Sequence, residues 1–63
     1  MGYYLKEKNG TLFHYRGKLV ERKTQATYYA NKYSAETMLI RWRKKNPKNP
    51  LVMCNWVTDE IKD

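Results

Sequence analysis

The first third of the chain alternates apolar and polar residues in three short runs that two turn signals separate. Asn9-Gly10 stands between Tyr3–Lys8 and Thr11–Tyr15, and both residues tolerate the positive φ of a two-residue type I′ hairpin. Arg16-Gly17 indicates a second tight turn into Lys18–Lys23, although Arg is a poorer choice at that position. The pattern predicts a three-stranded antiparallel meander.

The middle of the chain changes to helical spacing. Its apolar residues recur at i, i+3, i+4 and i+7, as Ala35, Met38, Leu39 and Trp42. Ser34 is a suitable N-cap, Glu36 falls in the first turn, and Pro47 ends the helix near Asn46. Basic residues occupy the last turns, namely Arg41, Arg43, Lys44 and Lys45. The preceding segment, Thr24–Tyr33, fits a strand, a turn or an earlier helix start, and the sequence leaves the three open.

A β-rich run after the prolines, Leu51–Val57, predicts a fourth strand. Residues 57–63 follow as a frayed tail. The order β-β-β-α-β gives an α+β fold with a three-stranded antiparallel meander, one helix packed on the sheet and a C-terminal fourth strand. A chain of 63 residues has room for one small domain, covering 1–63.

The two turns divide the meander between two faces of the sheet, with Lys8 opposite Thr11 and Tyr15 opposite Lys18. One face, which we expect to meet the helix, carries Tyr3, Leu5, Glu7, Leu12, His14, Leu19 and Glu21. The other face carries Tyr4, Lys6, Lys8, Thr11, Phe13, Tyr15, Lys18, Val20 and Arg22. We expect this second face to be exposed. The alternative is that its aromatic residues and Val20 form the core while the lysines reach to the edges.

Charge is strong and uneven. Thirteen Lys and Arg against six Asp and Glu give a formal charge of +7. Residues 1–48 hold twelve basic and three acidic side chains, whereas residues 49–63 hold one basic and three acidic ones. This balance excludes an acidic mimic of DNA, and 41% apolar residues exceed what a disordered basic tail carries.

Catalytic and metal-binding chemistry is poorly supplied. The single His, Ser and Cys, namely His14, Ser34 and Cys54, fall on three different predicted elements. One Cys and one His are too few for a zinc site, and the glycines form no phosphate loop. We therefore expect no enzyme, no metal and no cofactor. One cysteine and the absence of a long apolar run predict a cytoplasmic protein without a membrane partner.

Basic and aromatic residues that alternate on one face are typical of a nucleic-acid surface, since cations pair with phosphates and rings stack on unpaired bases. The leading hypothesis is a binding protein for nucleic acid or a nucleoprotein. The residues expected to neutralise phosphates are Lys6, Lys8, Arg16, Lys18, Arg22, Arg43 and Lys44. The residues expected to stack or pack against sugars are Tyr4, Phe13 and Tyr15.

Two alternatives use the same features differently. An inhibitor or adaptor would dock this basic face on an acidic patch of a host protein, without touching nucleic acid. A homodimer through an open sheet edge is compatible with either function.

The chain resembles the small β-β-β-α-β accessory proteins that bacteriophages encode. The residues that carry this likeness are Asn9-Gly10, Gly17, Ala26-x-x-Tyr29 and Ser34-Ala35-x-x-x-Leu39. The resemblance implies a phage protein, and members of that group often bind host proteins, including CRISPR and other defence components.

The predicted meander and helix also resemble the arm-site DNA-binding domains of tyrosine recombinases, which lay a three-stranded sheet in the major groove. That likeness implies that Lys6, Lys8, Tyr15, Lys18 and Arg22 face DNA. The added strand Leu51–Val57 departs from the pattern.

Overall fold

The computed structural model describes residues 2–62 and contains one antiparallel sheet and one α-helix. The elements are β1 (Tyr3–Glu7), β2 (Phe13–Tyr15), β3 (Lys18–Val20), a 3₁₀ turn (Lys23–Gln25), α1 (Lys32–Lys45) and β4 (Leu51–Asn55). The strand order is β3-β2-β1-β4, so the C-terminal strand closes the sheet beside the first one. The predicted α+β fold is confirmed.

The first hairpin has the predicted register but not the predicted turn. Lys6 pairs with Phe13, which agrees with Lys8 opposite Thr11. Neither Asn9 nor Gly10 has a positive φ, so the predicted type I′ turn is wrong. The cause is Glu7, whose carboxylate accepts the Leu12 N–H at 3.1 Å and the Asn49 side-chain amide at 3.0 Å. A wider loop encloses that carboxylate, and it approaches Gly10 so closely that a Cβ there would collide with it.

The second hairpin has the geometry expected of the first. Arg16 and Gly17 have φ of +45° and +83°, the left-handed pair that a type I′ turn requires. Tyr15 pairs with Lys18, which confirms the predicted register.

The helix begins two residues earlier than Ser34. Asn31 is the N-cap, and its side chain accepts the Ser34 N–H at 2.9 Å, so the predicted Ser34 cap is wrong. Glu36 consequently lies beyond the first turn, which contains no acidic residue. The predicted end is confirmed, because Asn46 is the C-cap and its N–H donates to the Trp42 carbonyl at 2.7 Å.

The helix covers one face of the sheet, as predicted. The core between the helix and the sheet consists of Leu5, Ala35, Trp42, Leu51 and Met53. It is flanked by Tyr3, Leu19, Tyr29, Met38 and Leu39. The predicted apolar stripe of the helix therefore lies in the core. Burying side chains of this size contributes about 1.5–3 kcal/mol each, so this layer is the main source of stability.

The C-terminal segment turns back against β4 instead of fraying. The strand ends at Asn55, two residues before the predicted limit. Lys62 N–H donates to the Met53 carbonyl at 2.7 Å, and Asn55 N–H donates to the Glu60 carbonyl at 2.8 Å. Residues 57–62 are thus fixed to the edge of the sheet, while the last residue of the predicted tail, Asp63, lies outside the described residues.

The second face of the sheet is partly covered. Tyr4, Ala26, Val52 and Cys54 form a second buried cluster, with Phe13 and Trp56 packed against it. The ambiguous segment 24–33 supplies part of this cover, because the 3₁₀ turn precedes Ala26 and Tyr29 then pairs with Tyr3. The sequence offered two alternatives for this face, exposed surface or core. The structure agrees with neither, because the face is neither fully exposed nor wholly core.

Candidate nucleic-acid interface

A groove of about 590 Å³ lies between the β2–β3 turn and the last turns of α1. We call it the basic groove and define it by His14, Arg16, Arg41, Trp42, Lys44 and Lys45. Gly17, Met38 and Asn46 complete its lining, and none of the residues among 2–62 that line it is acidic. The type I′ turn brings Arg16 to one wall, and helical spacing brings Arg41, Lys44 and Lys45 to the other.

Arg16 occupies a backbone conformation that its side chain disfavours. Its φ of +45° is left-handed, where a residue other than Gly, Asn or Asp costs about 1–2 kcal/mol. The guanidinium lies 5.6 Å from the centre of the Tyr15 ring, which offsets part of that cost. The turn would be easier to form with Asn at this position.

His14 lies in the floor of the basic groove and is fully buried. Its Nε2 accepts the Gly17 N–H at 3.1 Å, and its ring meets the Trp42 ring edge-on at 5.5 Å. Burial lowers the pKa of His14 below its ordinary value, so the ring is neutral at physiological pH. Because Nε2 is the acceptor, the proton resides on Nδ1, which has no hydrogen-bond partner among residues 2–62.

Trp42 fixes the helix end that supplies three of the cations. Its indole N–H donates to the Asn49 carbonyl at 2.7 Å, and its ring is buried against the sheet. Trp42 is therefore a core residue, as the sequence predicts. It gives the groove a rigid wall but almost no exposed ring face on which a base could stack.

The second face of the sheet departs most from its predicted role. Tyr4 was expected to stack on bases or pack against sugars, and its ring retains only 3% exposure. Its ring packs on Phe13 and Trp56, in each case with 5.7 Å between ring centres. Phe13 is half-buried in the same cluster. Burial and a hydrogen bond of 2.7 Å to Asp59 raise the pKa of Tyr4.

Lys23 lies over this cluster, and sequence reasoning assigned it no role. Its ammonium lies 5.0 Å from the centre of the Tyr4 ring and 5.1 Å from that of Trp56. It donates to the Trp56 carbonyl and forms an ion pair of 2.8 Å with Asp59. The hydrogen bonds from Lys23 and Tyr4 hold the pKa of Asp59 below its ordinary value. We call Tyr4, Lys23, Trp56 and Asp59 the latch, because they hold the C-terminal segment on the sheet.

The remaining predicted contacts are distributed around the molecule. Lys18 and half-buried Tyr15 line a second, shallower hollow of about 470 Å³ beside the 3₁₀ turn. Lys6 is half-buried on β1. The other predicted phosphate contacts outside the groove are exposed, namely Lys8, Arg22 and Arg43.

Of the ten predicted residues, the structure brings Arg16 and Lys44 together in the basic groove. Sequence reasoning did not select Arg41 and Lys45 for the site. The spacing of Met38, Trp42 and Lys45 along the helix is the signal that could have found them, since it follows one helical face.

No group of three or more His, Cys, Asp or Glu side chains within residues 2–62 is arranged to hold a metal ion. Within the same range, no helix has the length and apolar character needed to cross a membrane.

No protein-family model matches the chain, and neither a curated protein nor a solved structure gives a significant match.

Proposed function

We propose that this protein binds nucleic acid, or a nucleoprotein through its nucleic acid, by contacts to the phosphate backbone and without catalysis. The observation that carries the proposal is the basic groove, where four cations converge and no acidic side chain of the described part of the chain, residues 2–62, belongs to the lining. The cations of a solvated surface are normally interspersed with acids, and here the groove lacks them.

The wider charge distribution supports the same function. Of the thirteen Lys and Arg residues, Lys23 alone makes a salt bridge within residues 2–62. The other twelve leave their charge available to a polyanion. Lys18 and Arg22 are exposed at β3 and just after it, and Lys8 is exposed in the β1–β2 loop, so further cations lie outside the groove.

The proposed contacts differ from a base-stacking surface. Tyr4 and Trp42 are buried, so neither ring is available to stack on a base. Backbone contacts give affinity and position but little sequence information. We therefore propose binding with weak sequence preference. We also propose that the protein acts in the cytoplasm, or in the cytoplasm of a host cell if the chain is phage-encoded. The resemblances to phage accessory proteins and to recombinase arm-site domains stay predictions.

Salt-dependent binding tests this function. Fluorescence anisotropy with labelled duplex DNA, single-stranded DNA and RNA at 50 and 200 mM salt is the experiment. Contacts to six or more phosphates predict a loss of about three orders of magnitude in affinity between the two salt concentrations. Absence of binding to all three probes at 50 mM salt would overturn the proposal.

The competing function, an inhibitor or adaptor that binds a host protein, has its own supporting observation. Tyr33 is 81% exposed and Ile40 is 55% exposed on the outer side of the helix. Large exposed apolar side chains of this kind supply hot spots in protein interfaces. An apolar interface would depend little on salt, so the same titration separates the two functions. A homodimer through the free edge of β3 stays a further prediction.

A further inference from the structure

The helix dipole explains two of the four groove cations, and Arg16 is not one of them. Lys44 and Lys45 lie in the last turn of α1, where a cation interacts favourably with the helix dipole in any protein, and Arg41 lies one turn earlier. Arg16 belongs to a hairpin turn and occupies a left-handed conformation that Asn or Gly would adopt more easily. Residues held in disfavoured conformations concentrate at functional sites, so the Arg16 guanidinium itself is the feature to explain.

The basic groove has the volume of a ligand pocket, since its 590 Å³ or so lies within the range of about 300–1,000 Å³ for pockets that hold small molecules. A concave site beside a fixed turn and a buried Trp42 can enclose one group from several sides.

The charge in the groove exceeds what one internal phosphate needs. A phosphodiester carries one negative charge, whereas a terminal phosphomonoester carries about 1.5 to 2 at pH 7 and offers three strong acceptor oxygens. Two arginines and two lysines line the groove with no acid among them. The planar guanidinium of Arg binds two phosphate oxygens at once, and Lys contributes a point charge.

We infer that the basic groove is a phosphate site that prefers a terminal phosphomonoester to an internal phosphodiester. The inference rests on the proposed function when the phosphate belongs to the end of a nucleic-acid strand. The free phosphate of a nucleoside monophosphate has the same chemistry. Arg16 and Arg41 hold the phosphate oxygens, and Lys44 and Lys45 complete the charge.

The test uses three single-stranded oligonucleotides of one sequence, with hydroxyl groups at both ends, with a 5′-phosphate or with a 3′-phosphate. We expect one of the phosphorylated strands to bind about tenfold more tightly than the unphosphorylated strand, because it gains charge-assisted hydrogen bonds. A parallel NMR titration compares adenosine monophosphate with adenosine. The nucleotide should shift the backbone amides of Gly17 and Asn46, and the nucleoside should not.

Two matched double variants locate the effect. Lys44→Gln with Lys45→Gln should abolish the preference for the phosphorylated strand. Lys8→Gln with Lys18→Gln removes the same charge outside the groove, so it should weaken all three strands equally and keep the preference. Arg16→Lys retains the charge but removes the planar guanidinium that binds two phosphate oxygens at once. It should reduce the preference for the phosphorylated strand several-fold. All altered side chains are exposed, and thermal unfolding verifies that each variant is folded.

The outcomes distinguish the inferred phosphomonoester site from the proposed nucleic-acid function. Equal affinity for all three strands, with no amide shift from the nucleotide, overturns the inference and leaves nucleic-acid binding intact. A shift from the nucleotide without binding of any strand supports the phosphate site and removes the nucleic-acid function. A preference that persists in the Lys44 and Lys45 variant overturns the assignment to the groove.

Discussion

The latch and the basic groove both combine cations with aromatic rings, but only the latch contains its own anion. In the latch, Lys23 lies against the rings of Tyr4 and Trp56 and pairs with Asp59 at 2.8 Å. In the groove, four cations surround Trp42 and His14 with no acid in the lining. Both regions contain lysine and tryptophan side chains. They differ in whether the chain itself neutralises the positive charge.

That difference separates a structural role from a binding role. A cation with an internal partner fixes two parts of the chain together, as Lys23 fixes the C-terminal segment. A cation without one remains available to an external anion. Charge clusters in small basic proteins are therefore better interpreted by their acidic partners than by the number of Lys and Arg residues.

The largest expected effect is a loss of binding after charge reversal in the groove. Lys44→Glu with Lys45→Glu changes the local charge by four units beside Arg16. We expect about a 100-fold lower affinity for nucleic acid at 50 mM salt, measured by anisotropy. The melting temperature should change little because both side chains are exposed. An unchanged affinity in the folded variant would remove the groove from the interface.

The next effect is a loss of stability when the latch is opened. Lys23→Met removes an ion pair and two cation–π contacts, and we expect the free energy of unfolding to fall by about 1–2 kcal/mol. Urea denaturation measures this change. Lys48→Met, at an exposed lysine, is the control and should cost less than about 0.5 kcal/mol. Equal effects of the two substitutions would contradict the structural role of Lys23.

Acid should affect the two regions in separate pH windows. Burial lowers the pKa of His14 in the folded state, so below about pH 6.5 the unfolded chain binds a proton that the folded chain resists. Between that pH and about pH 8 stability should therefore change little, and beneath it stability should fall by up to about 1.4 kcal/mol per pH unit. The lowered pKa of Asp59 predicts a separate loss of stability, at the latch, below about pH 3.8.

Urea denaturation at pH values from 8 to 3 measures both windows. His14→Gln, which removes the single histidine, should flatten the profile between pH 7 and 5 and leave the acid limb. A slope in that range that survives this substitution would mean that His14 is not its source.

The smallest expected effect is at Arg16, where one substitution should raise stability and weaken binding. Arg16→Asn places a favourable residue in the left-handed position and should raise the free energy of unfolding by about 0.5–1 kcal/mol. The same substitution removes a groove cation and should weaken nucleic-acid binding. A variant that is more stable and binds equally well would show that Arg16 has no part in binding.

Local patterns in the sequence were sufficient to predict the meander, its register and the helix. Period-two alternation and the two turns fixed which residues lie opposite each other, and the stripe from Ala35 to Trp42 identified the buried face of the helix. Both signals are local and repeat along the chain, so they remain readable without tertiary contacts.

The errors arose where a distant side chain decides a local structure. Asn9-Gly10 is a strong type I′ signal, but the Glu7 carboxylate and its contact with Asn49 favour a wider loop. Tyr4 has the spacing of an exposed strand residue, yet a cation from residue 23 and a carboxylate from residue 59 cover it. No periodic pattern encodes contacts of this kind.

The candidate site was predictable in composition but not in place. The charge and the basic helix end indicated a polyanion, and Arg16 and Lys44 were among the residues named for it. Their convergence depends on how the β2–β3 turn packs beside the helix end, which is a tertiary property. The sequence therefore favoured the sheet face, where the chain covers its own aromatic residues.

One NMR titration would test the contrast between the two regions directly. A ¹⁵N-labelled sample with a short 5′-phosphorylated single strand at 50 mM salt reports on both regions at once. We predict shifts at Gly17, Lys44 and Asn46 in the groove, with little change at Lys23, Trp56 and Asp59 in the latch. Shifts confined to the latch, with the groove unchanged, would contradict the account.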